Sequence, residues 1–217
     1  MQPLIRILNI YMKTLHDINE ELKAIYGETS LDFTDKGAAT GHSYIPFYNK
    51  FFEPRQNDDV RMLELGISSG GSAYLWGKFF PNIDYYSFDI APYFAQPCGF
   101  QKEVEADDRI SLYWGCSTFD PELASQFGEE TMDFIIDDGD HRANSQWQTF
   151  QNYWPCLAKG GVYFIEDVVN TETAKNFIPH LENYLKGRGE DFSIDTYYGK
   201  RIEEGRLDDI IIAITKN

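Results

Sequence analysis

The chain has 217 residues, of which 42% are hydrophobic and 16% aromatic, so it can bury a core and is not expected to be disordered. Its 35 Asp and Glu outnumber 19 Lys and Arg, and the net charge of −16 argues against nucleic acid or an anionic membrane surface as the main partner. The sequence has no stretch near the roughly 20 apolar residues that span a bilayer. Three cysteines without a CxxC or metal-binding spacing indicate reduced thiols, and we expect a soluble, cytoplasmic protein.

The first predicted element is an amphipathic helix over residues 3–26, in which apolar residues recur at helical spacing up to Gly27. Such a helix either caps the domain or packs against a second copy of the chain, so a homo-oligomer stays open. Residues 31–54 follow, with a polar turn at 34–37 and then a histidine among aromatic residues. That combination predicts a lid over a small-molecule pocket, with simple packing on the sheet edge as the alternative.

The rest of the chain alternates strand and helix patterns, which indicates one α/β domain over residues 1–217. Strands are predicted at 60–65, 84–90, 110–114, 132–136, 162–165, 192–198 and 209–215, the last two as a hairpin with a long loop. Helices are predicted at 73–80, 121–127, 146–157 and 173–185. We expect Lys159-Gly160-Gly161 to stop the helix at 146–157.

A glycine-rich turn from Gly66 to Ser72 joins the first core strand to its helix. Strand, glycine-rich turn and helix form the first unit of a nucleotide-binding α/β fold, and glycine allows a ligand to approach the backbone closely. The turn is neither GxGxxG nor a P-loop, so phosphate binding is disfavoured. Asp89 ends the second strand, where a carboxylate typically binds ribose hydroxyls.

Two acidic stretches follow predicted strands four and five. Asp138 and His141 follow the first of these strands, and Glu166 and Asp167 follow the second. Ligands bind at the carboxyl ends of such strands, and paired strands lie about 4.8 Å apart, so we expect the three carboxylates to meet. Taken singly, Asp138 or Asp167 is better explained as a helix cap, but the trio favours a hard cation such as Mg²⁺, Mn²⁺ or Ca²⁺. His141 is a candidate proton acceptor at the same rim.

The motifs at 64–76, Asp89, 136–141 and 160–167 occur in an order that resembles the class I, metal-dependent sugar O-methyltransferases. The pattern is nearest to the macrolide-sugar enzymes of the mycinamicin type and to the rhamnosyl O-methyltransferases, and residues 34–48 are similar to that family's lid. The resemblance covers about residues 31–170. It implies a Rossmann-like fold with helices on both faces of a seven-stranded sheet, parallel except for the last strand.

The resemblance also implies a cofactor, S-adenosylmethionine (SAM), and a divalent metal, with Mg²⁺ favoured over Mn²⁺. The residues that match the family's metal ligands are Asp138, Glu166 and Asp167, and those that match its catalytic positions are His141, as general base, and Asp138. The cofactor-binding residues implied are Thr34, His42, Glu64, Gly66, Ser72, Asp89, Ser117 and Asp137. This chain has Asp140 where the family usually has serine, and we expect the added charge to adjust the pKa of His141 or to contact the substrate.

The sequence therefore predicts methyl transfer from SAM to a hydroxyl of rhamnose or another deoxysugar, in a small glycoside or a glycan. A cation would lower the pKa of the hydroxyl, and His141 would accept its proton. An NAD-dependent Rossmann oxidoreductase would share the glycine-rich turn and Asp89, but it leaves the carboxylate trio unexplained. A non-catalytic binding protein on this fold is the other alternative, because fold does not determine function.

Overall fold

The computed structural model describes residues 13–29, 32–90 and 99–217 of the chain. Its centre is a seven-stranded sheet in the order β3-β2-β1-β4-β5-β7-β6. The strands are β1 Val60–Leu65, β2 Ile83–Asp89, β3 Ile110–Trp114, β4 Met132–Asp137, β5 Leu157–Ile165, β6 Phe192–Tyr198 and β7 Ile210–Lys216. The first five are parallel, and β7 runs antiparallel to both β5 and β6. The predicted fold class is confirmed.

Helices cover both faces of the sheet. They are α1 Leu15–Tyr26, α2 Ile45–Phe52, α3 Gly71–Phe79, α4 Gln101–Glu105, α5 Pro121–Ser125, α6 Ala143–Tyr153 and α7 Thr171–Gly187. Successive strand residues point to opposite faces, so Phe134 and Ile136 of β4 pack with α1, α2 and α3, whereas Ile135 packs with α5, α6 and α7. Because both faces are covered, the central strands are apolar almost throughout.

Within the described residues, the predicted N-terminal helix is α1, which begins only at Leu15; the prediction is wrong for Lys13 and Thr14, which are not helical. Thr14 caps it: its side chain accepts from the backbone N–H of Asp17, whose own side chain accepts from the Thr14 backbone. The predicted start at residues 3–12 lies outside the described residues. Within those residues, no helix combines the length and the apolar character needed to cross a membrane.

The predicted helix stop at Lys159-Gly160-Gly161 is wrong. Helix α6 ends at Tyr153, a short 3₁₀ turn with a proline follows at Trp154–Cys156, and β5 already begins at Leu157. The two glycines therefore lie inside β5, where the pairing with β4 shifts register. Gly160 has a φ of 78°, and a Cβ on Gly161 would lie 2.8 Å from the carbonyl oxygen of Asp133. The strand irregularity, rather than a helix end, requires these glycines.

Candidate active site

The carboxyl ends of the parallel strands open onto a cavity of about 730 Å³. Its walls come from residues 33–35, the turn at 66–72, residues 88–90 at the end of β2, residues 118–119 after β3, and residues 138–141 after β4. This is the edge of the sheet at which open α/β folds bind ligands. The volume is in the usual range of small-molecule sites, roughly 300–1,000 Å³.

The glycine-rich turn allows close packing of the protein's own backbone. A Cβ on Gly66, which has a φ of 116°, would lie 2.0 Å from the carbonyl oxygen of Asp138. A Cβ on Gly71 would lie 2.0 Å from the carbonyl oxygen of Phe33. These two glycines thus bring the loop after β4 and the predicted lid against the turn, whereas Gly70, with a φ of 81°, has no described atom within 4 Å of its Cβ position.

Asp89 fastens the turn to the end of β2. Its Oδ2 accepts hydrogen bonds from the backbone N–H groups of Ile67 and Ser68, at 2.9 and 3.1 Å. Asp89 also lines the cavity. Two backbone hydrogen bonds therefore fix the carboxylate at the cavity wall.

The eight residues predicted to bind a cofactor fall into two groups. Those that line the cavity are Thr34, Gly66, Ser72 and Asp89, and those that do not are His42, Glu64, Ser117 and Asp137. Ser117 is exposed, and its Oγ accepts a hydrogen bond from the N–H of Phe119. The residues that line the cavity after β3 are Thr118 and Phe119 instead. His42, Glu64 and Asp137 are buried behind the wall. Burial raises the pKa of Asp137 to about 8.

Lys36 is the central cation of the site, although the sequence indicated it only as part of a polar turn. Its ammonium Nζ lies 2.7 Å from Asp138 Oδ2, 2.7 Å from Glu166 Oε2 and 3.2 Å from Glu64 Oε1. The side chain is 1% exposed. Burial alone would lower the pKa of Lys36, but the three carboxylates outweigh it and hold the pKa well above its usual value.

The two carboxylates of this cluster that lie deepest are tied to aromatic residues as well. Glu166 Oε1 accepts a short hydrogen bond from the Tyr48 hydroxyl of α2. Glu64 Oε2 accepts from Trp76 Nε1 at 3.0 Å and from the Tyr85 hydroxyl at 2.6 Å. These contacts explain how buried carboxylates are tolerated in the core: each oxygen has a donor or the ammonium beside it.

His141 lies between the carboxylates of Asp138 and Asp167. Its Nε2 is 3.2 Å from Asp138 Oδ1, and its Nδ1 is 3.5 Å from Asp167 Oδ2. One ligand atom from each of these three residues falls within 4.8 Å of the others, which fits a divalent cation with mainly oxygen ligands. His141 and Asp167 both have positive φ, 59° and 53°, a conformation that is uncommon for these residues and frequent at functional sites.

The charges of the pair formed by Asp138 and His141 stabilise each other. Burial would lower the pKa of His141, but its hydrogen bond with Asp138 and the charges of Asp138 and Asp167 raise it to about 9. Burial would raise the pKa of Asp138, but Lys36 and His141 hold it below its usual range. Asp138 is thus an anion, and His141 is protonated near pH 7 as long as its carboxylate neighbours carry no other cation.

Asp140, the departure from the family pattern, lies on the cavity wall. Its Oδ2 accepts a short hydrogen bond from the Ser145 hydroxyl in α6, and its Oδ1 lies 3.5 Å from Arg142 Nε. The carboxylate is therefore anchored at the rim of the cavity beside His141.

The predicted lid is fastened at its far side to the loop between β6 and β7. Asp209 accepts from the N–H and the hydroxyl of Ser43, at 2.8 and 2.7 Å. Arg201 Nη2 donates to the carbonyl of Ala38 at 3.2 Å, and Arg206 Nη1 to that of Thr40 at 2.9 Å. Behind them, Asp167 Oδ1 accepts from the Tyr44 hydroxyl at 2.8 Å and lies 3.1 Å from His42 Nε2.

Comparison with known sequences shows which proteins the chain is similar to. Residues 63–168 match the family described as "Methyltransferase domain". The 8-demethyl-8-(2-methoxy-alpha-L-rhamnosyl)-tetracenomycin-C 3'-O-methyltransferase of Streptomyces olivaceus is 32% identical over 136 residues, or 58% of this chain and 32% of that protein. The mycinamicin VI 2''-O-methyltransferase of Micromonospora griseorubida is 30% identical over 137 residues, again 58% of this chain and 32% of that protein. The matched part is thus about a third of the length of these relatives.

Solved structures share the fold. A methyltransferase from the mycinamycin biosynthetic pathway, in complex with Mg and SAH, superposes with a TM-score of 0.68 at 22% identity, over 94% of this chain and 55% of that chain. A fibrillarin pre-rRNA processing protein of Methanococcus jannaschii superposes with a TM-score of 0.52 at 18% identity, over 74% of this chain and 67% of that chain. Residues 63–168 are thus similar to a methyltransferase domain, and the fold around them is the one seen in solved methyltransferase structures.

Proposed function

We propose that the protein is a SAM-dependent O-methyltransferase that acts on a sugar hydroxyl with the help of a divalent cation. The observation that carries the proposal is one cavity that joins two half-sites. One half has the glycine-rich turn and Asp89, and the other has Asp138 and His141. A cofactor and an acceptor bound in these halves would meet within the same cavity.

The cofactor half fits SAM. Asp89 would bind the ribose hydroxyls, and the turn at 66–72 with Thr34 would contact the amino acid part of the cofactor. Thr118 and Phe119 are the neighbouring wall residues on the side of β3. When bound, SAM supplies an electrophilic methyl group on its sulfonium. The task of the protein is then to align the acceptor oxygen with that methyl group.

The acceptor half fits a hard cation. Asp138 and Asp167 would hold it, with Glu166 as the third carboxylate that the family resemblance implies. A divalent cation bound there would lower the pKa of an acceptor hydroxyl. His141 would take the proton of that hydroxyl, for which its imidazole must be neutral. Neutralisation of Asp138 and Asp167 removes the charges that raise the pKa of His141 to about 9, and so brings the base toward neutrality at pH 7.

For the acceptor we propose a deoxysugar hydroxyl in a glycoside, of the rhamnose type. The support comes from the relatives, whose names state methylation of rhamnosyl-tetracenomycin and of mycinamicin VI. Asp140 at the rim is the residue of this chain best placed to distinguish acceptors. Residues 33–35 of the predicted lid line the cavity, which supports a role in enclosing the reactants. A homo-oligomer through α1 stays a prediction.

The alternative of an NAD-dependent oxidoreductase is not favoured, because the matched domain is a methyltransferase domain. A binding protein without activity does not account for the histidine and carboxylates that the fold brings together.

The test is a calorimetric titration with S-adenosylhomocysteine (SAH), first with Mg²⁺ and then with EDTA, beside a titration with NADH. We expect SAH to bind and NADH not to bind. A screen of rhamnosyl and other deoxysugar glycosides, with SAM and Mg²⁺, should then give a methyl ether, and EDTA should suppress it. No SAH binding under either condition would contradict the proposed function.

A further inference from the structure

The ammonium of Lys36 occupies two of the carboxylates that a divalent cation would use. Nζ lies 2.7 Å from both Asp138 Oδ2 and Glu166 Oε2, in a place where the lysine is 1% exposed. The pairing is thus direct, and the buried ammonium is largely shielded from the solvent that screens surface ion pairs. Glu166 has its second oxygen engaged by Tyr48, so the oxygen that Lys36 contacts is the one a metal would take.

A divalent cation and the ammonium cannot both contact these two oxygens at low cost. Mg²⁺ and Ca²⁺ bind carboxylate oxygens at about 2.0–2.6 Å, so a cation shared by Asp138 and Glu166 would lie close to the present position of Nζ. Two positive charges a few ångströms apart repel strongly in a buried site. Binding of the cation to all three predicted carboxylates therefore requires Lys36 to withdraw.

The structure offers Lys36 a place to withdraw to. Glu64 Oε1 lies 3.2 Å from Nζ and accepts no hydrogen bond within the described residues, whereas Glu64 Oε2 is held by Trp76 and Tyr85. A small movement toward Glu64 would keep the ammonium paired with a fixed anion. Such a place accounts for a fully buried glutamate near the carboxyl end of the core strand β1, behind the cavity wall.

We propose that Lys36 is a built-in competitor of the divalent cation: it pairs with Asp138 and Glu166 in the metal-free protein and yields them to the metal by moving to Glu64. This inference rests on the metal part of the proposed function. Lys36 is a positioning residue in this account, since it acts through the carboxylates. Because it belongs to the predicted lid, and its carbonyl accepts from the N–H of Tyr44, the exchange also links the lid to the metal site.

The test is Mn²⁺ binding, measured from the electron paramagnetic resonance of free Mn²⁺, for the wild type, Lys36→Met, Lys36→Arg and Asp138→Asn. Removal of the competing charge should make Lys36→Met bind Mn²⁺ about tenfold more tightly. Lys36→Arg keeps the charge and should not bind more tightly than the wild type, and Asp138→Asn should bind more weakly. In EDTA, Lys36→Met should have a lower Tm than the wild type, and saturating Mn²⁺ should restore most of the difference.

A gain in Mn²⁺ affinity together with a loss of stability in EDTA identifies competition. If the role of Lys36 were merely structural, its replacement would lower both stability and metal affinity. Equal or weaker Mn²⁺ binding by Lys36→Met would overturn the inference. If Lys36→Met does not fold, the inference is tested by NMR on the wild type instead. The ammonium signal of Lys36, recognised by its absence in Lys36→Arg, should shift in NMR spectra on addition of Mg²⁺, and an unchanged signal at saturating Mg²⁺ would overturn the inference.

Failure of this inference can be distinguished from failure of the proposed function. SAH binding is measured without reference to Lys36, so a failed competition test with intact SAH binding removes only the inference. Absence of Mn²⁺ binding in the wild type and in Lys36→Met alike would overturn both the inference and the metal part of the proposed function.

Discussion

Nε2 of His141 lies 3.2 Å from Oδ1 of Asp138, three residues earlier on the same loop. The positive φ of His141 allows this contact, because it turns the chain directly after β4. The contact joins the proposed base to a proposed metal ligand, and the other oxygen of Asp138 contacts Lys36. The charge at Asp138 therefore controls the protonation of His141.

Replacement of His141 tests its role as base. We expect His141→Ala to lower the rate of methyl transfer by roughly 10²–10⁴-fold, the usual contribution of a general base. SAH affinity, measured by calorimetry, should stay close to that of the wild type, because the cofactor half of the cavity is unchanged. His16→Ala is the matched control, since His16 is exposed on α1. Near-normal turnover of His141→Ala would exclude His141 as the base.

The raised pKa of His141 also predicts how stability depends on pH. The folded pKa, about 9, lies above the ordinary value of 6.5, so protonated His141 stabilises the folded protein below pH 6.5. That contribution is lost as the pH rises through about 9. In EDTA, the Tm difference between the wild type and His141→Asn should therefore be largest near pH 6 and shrink by pH 9.5. A difference that grows with pH would show that the pKa of His141 is not raised.

The strand ends could be predicted from the sequence, because buried strands are apolar runs and their last residues change abruptly to carboxylates. The cation that pairs with those carboxylates, Lys36, could not be predicted in the same way. Lys36 is 102 residues from Asp138 and 130 from Glu166, and a lysine in a polar turn is usually solvated. Only the path of the lid across the ends of β1, β4 and β5 buries this ammonium. The same holds for Tyr44 and Tyr48, which look like core aromatics in the sequence but donate to Asp167 and Glu166.

The role of Asp89 in cofactor binding can be tested against another aspartate of the same strand. Asp89→Ala removes the acceptor of two backbone N–H groups and the proposed ribose ligand, so SAH affinity should fall about tenfold or more. Asp84→Ala is the control, because Asp84 pairs with Arg61 near the opposite end of β2. Calorimetric titration with SAH gives both values. Equal SAH affinity in the two variants would place the ribose elsewhere.

Asp209 should hold the lid in place. It is fully buried and accepts from the N–H and hydroxyl of Ser43 and from the N–H of Arg201, at 2.8, 2.7 and 2.9 Å. Asp209→Ala leaves these donors buried without an acceptor, so the free energy of unfolding in urea should fall by about 2–4 kcal/mol. Amide hydrogen exchange should rise over residues 34–44 more than in the sheet.

The control for this prediction is Asp195→Ala, which removes a carboxylate that pairs with Lys50 on the surface and is half-exposed. Because exposed ion pairs contribute little, this variant should unfold close to the wild type and leave hydrogen exchange of residues 34–44 unchanged. If Asp209→Ala lowers stability but exchange rises evenly across the domain, Asp209 stabilises the domain as a whole and not the lid in particular. If exchange rises in the lid alone and SAH affinity falls with it, the anchoring of the lid by Asp209 is what encloses the cofactor.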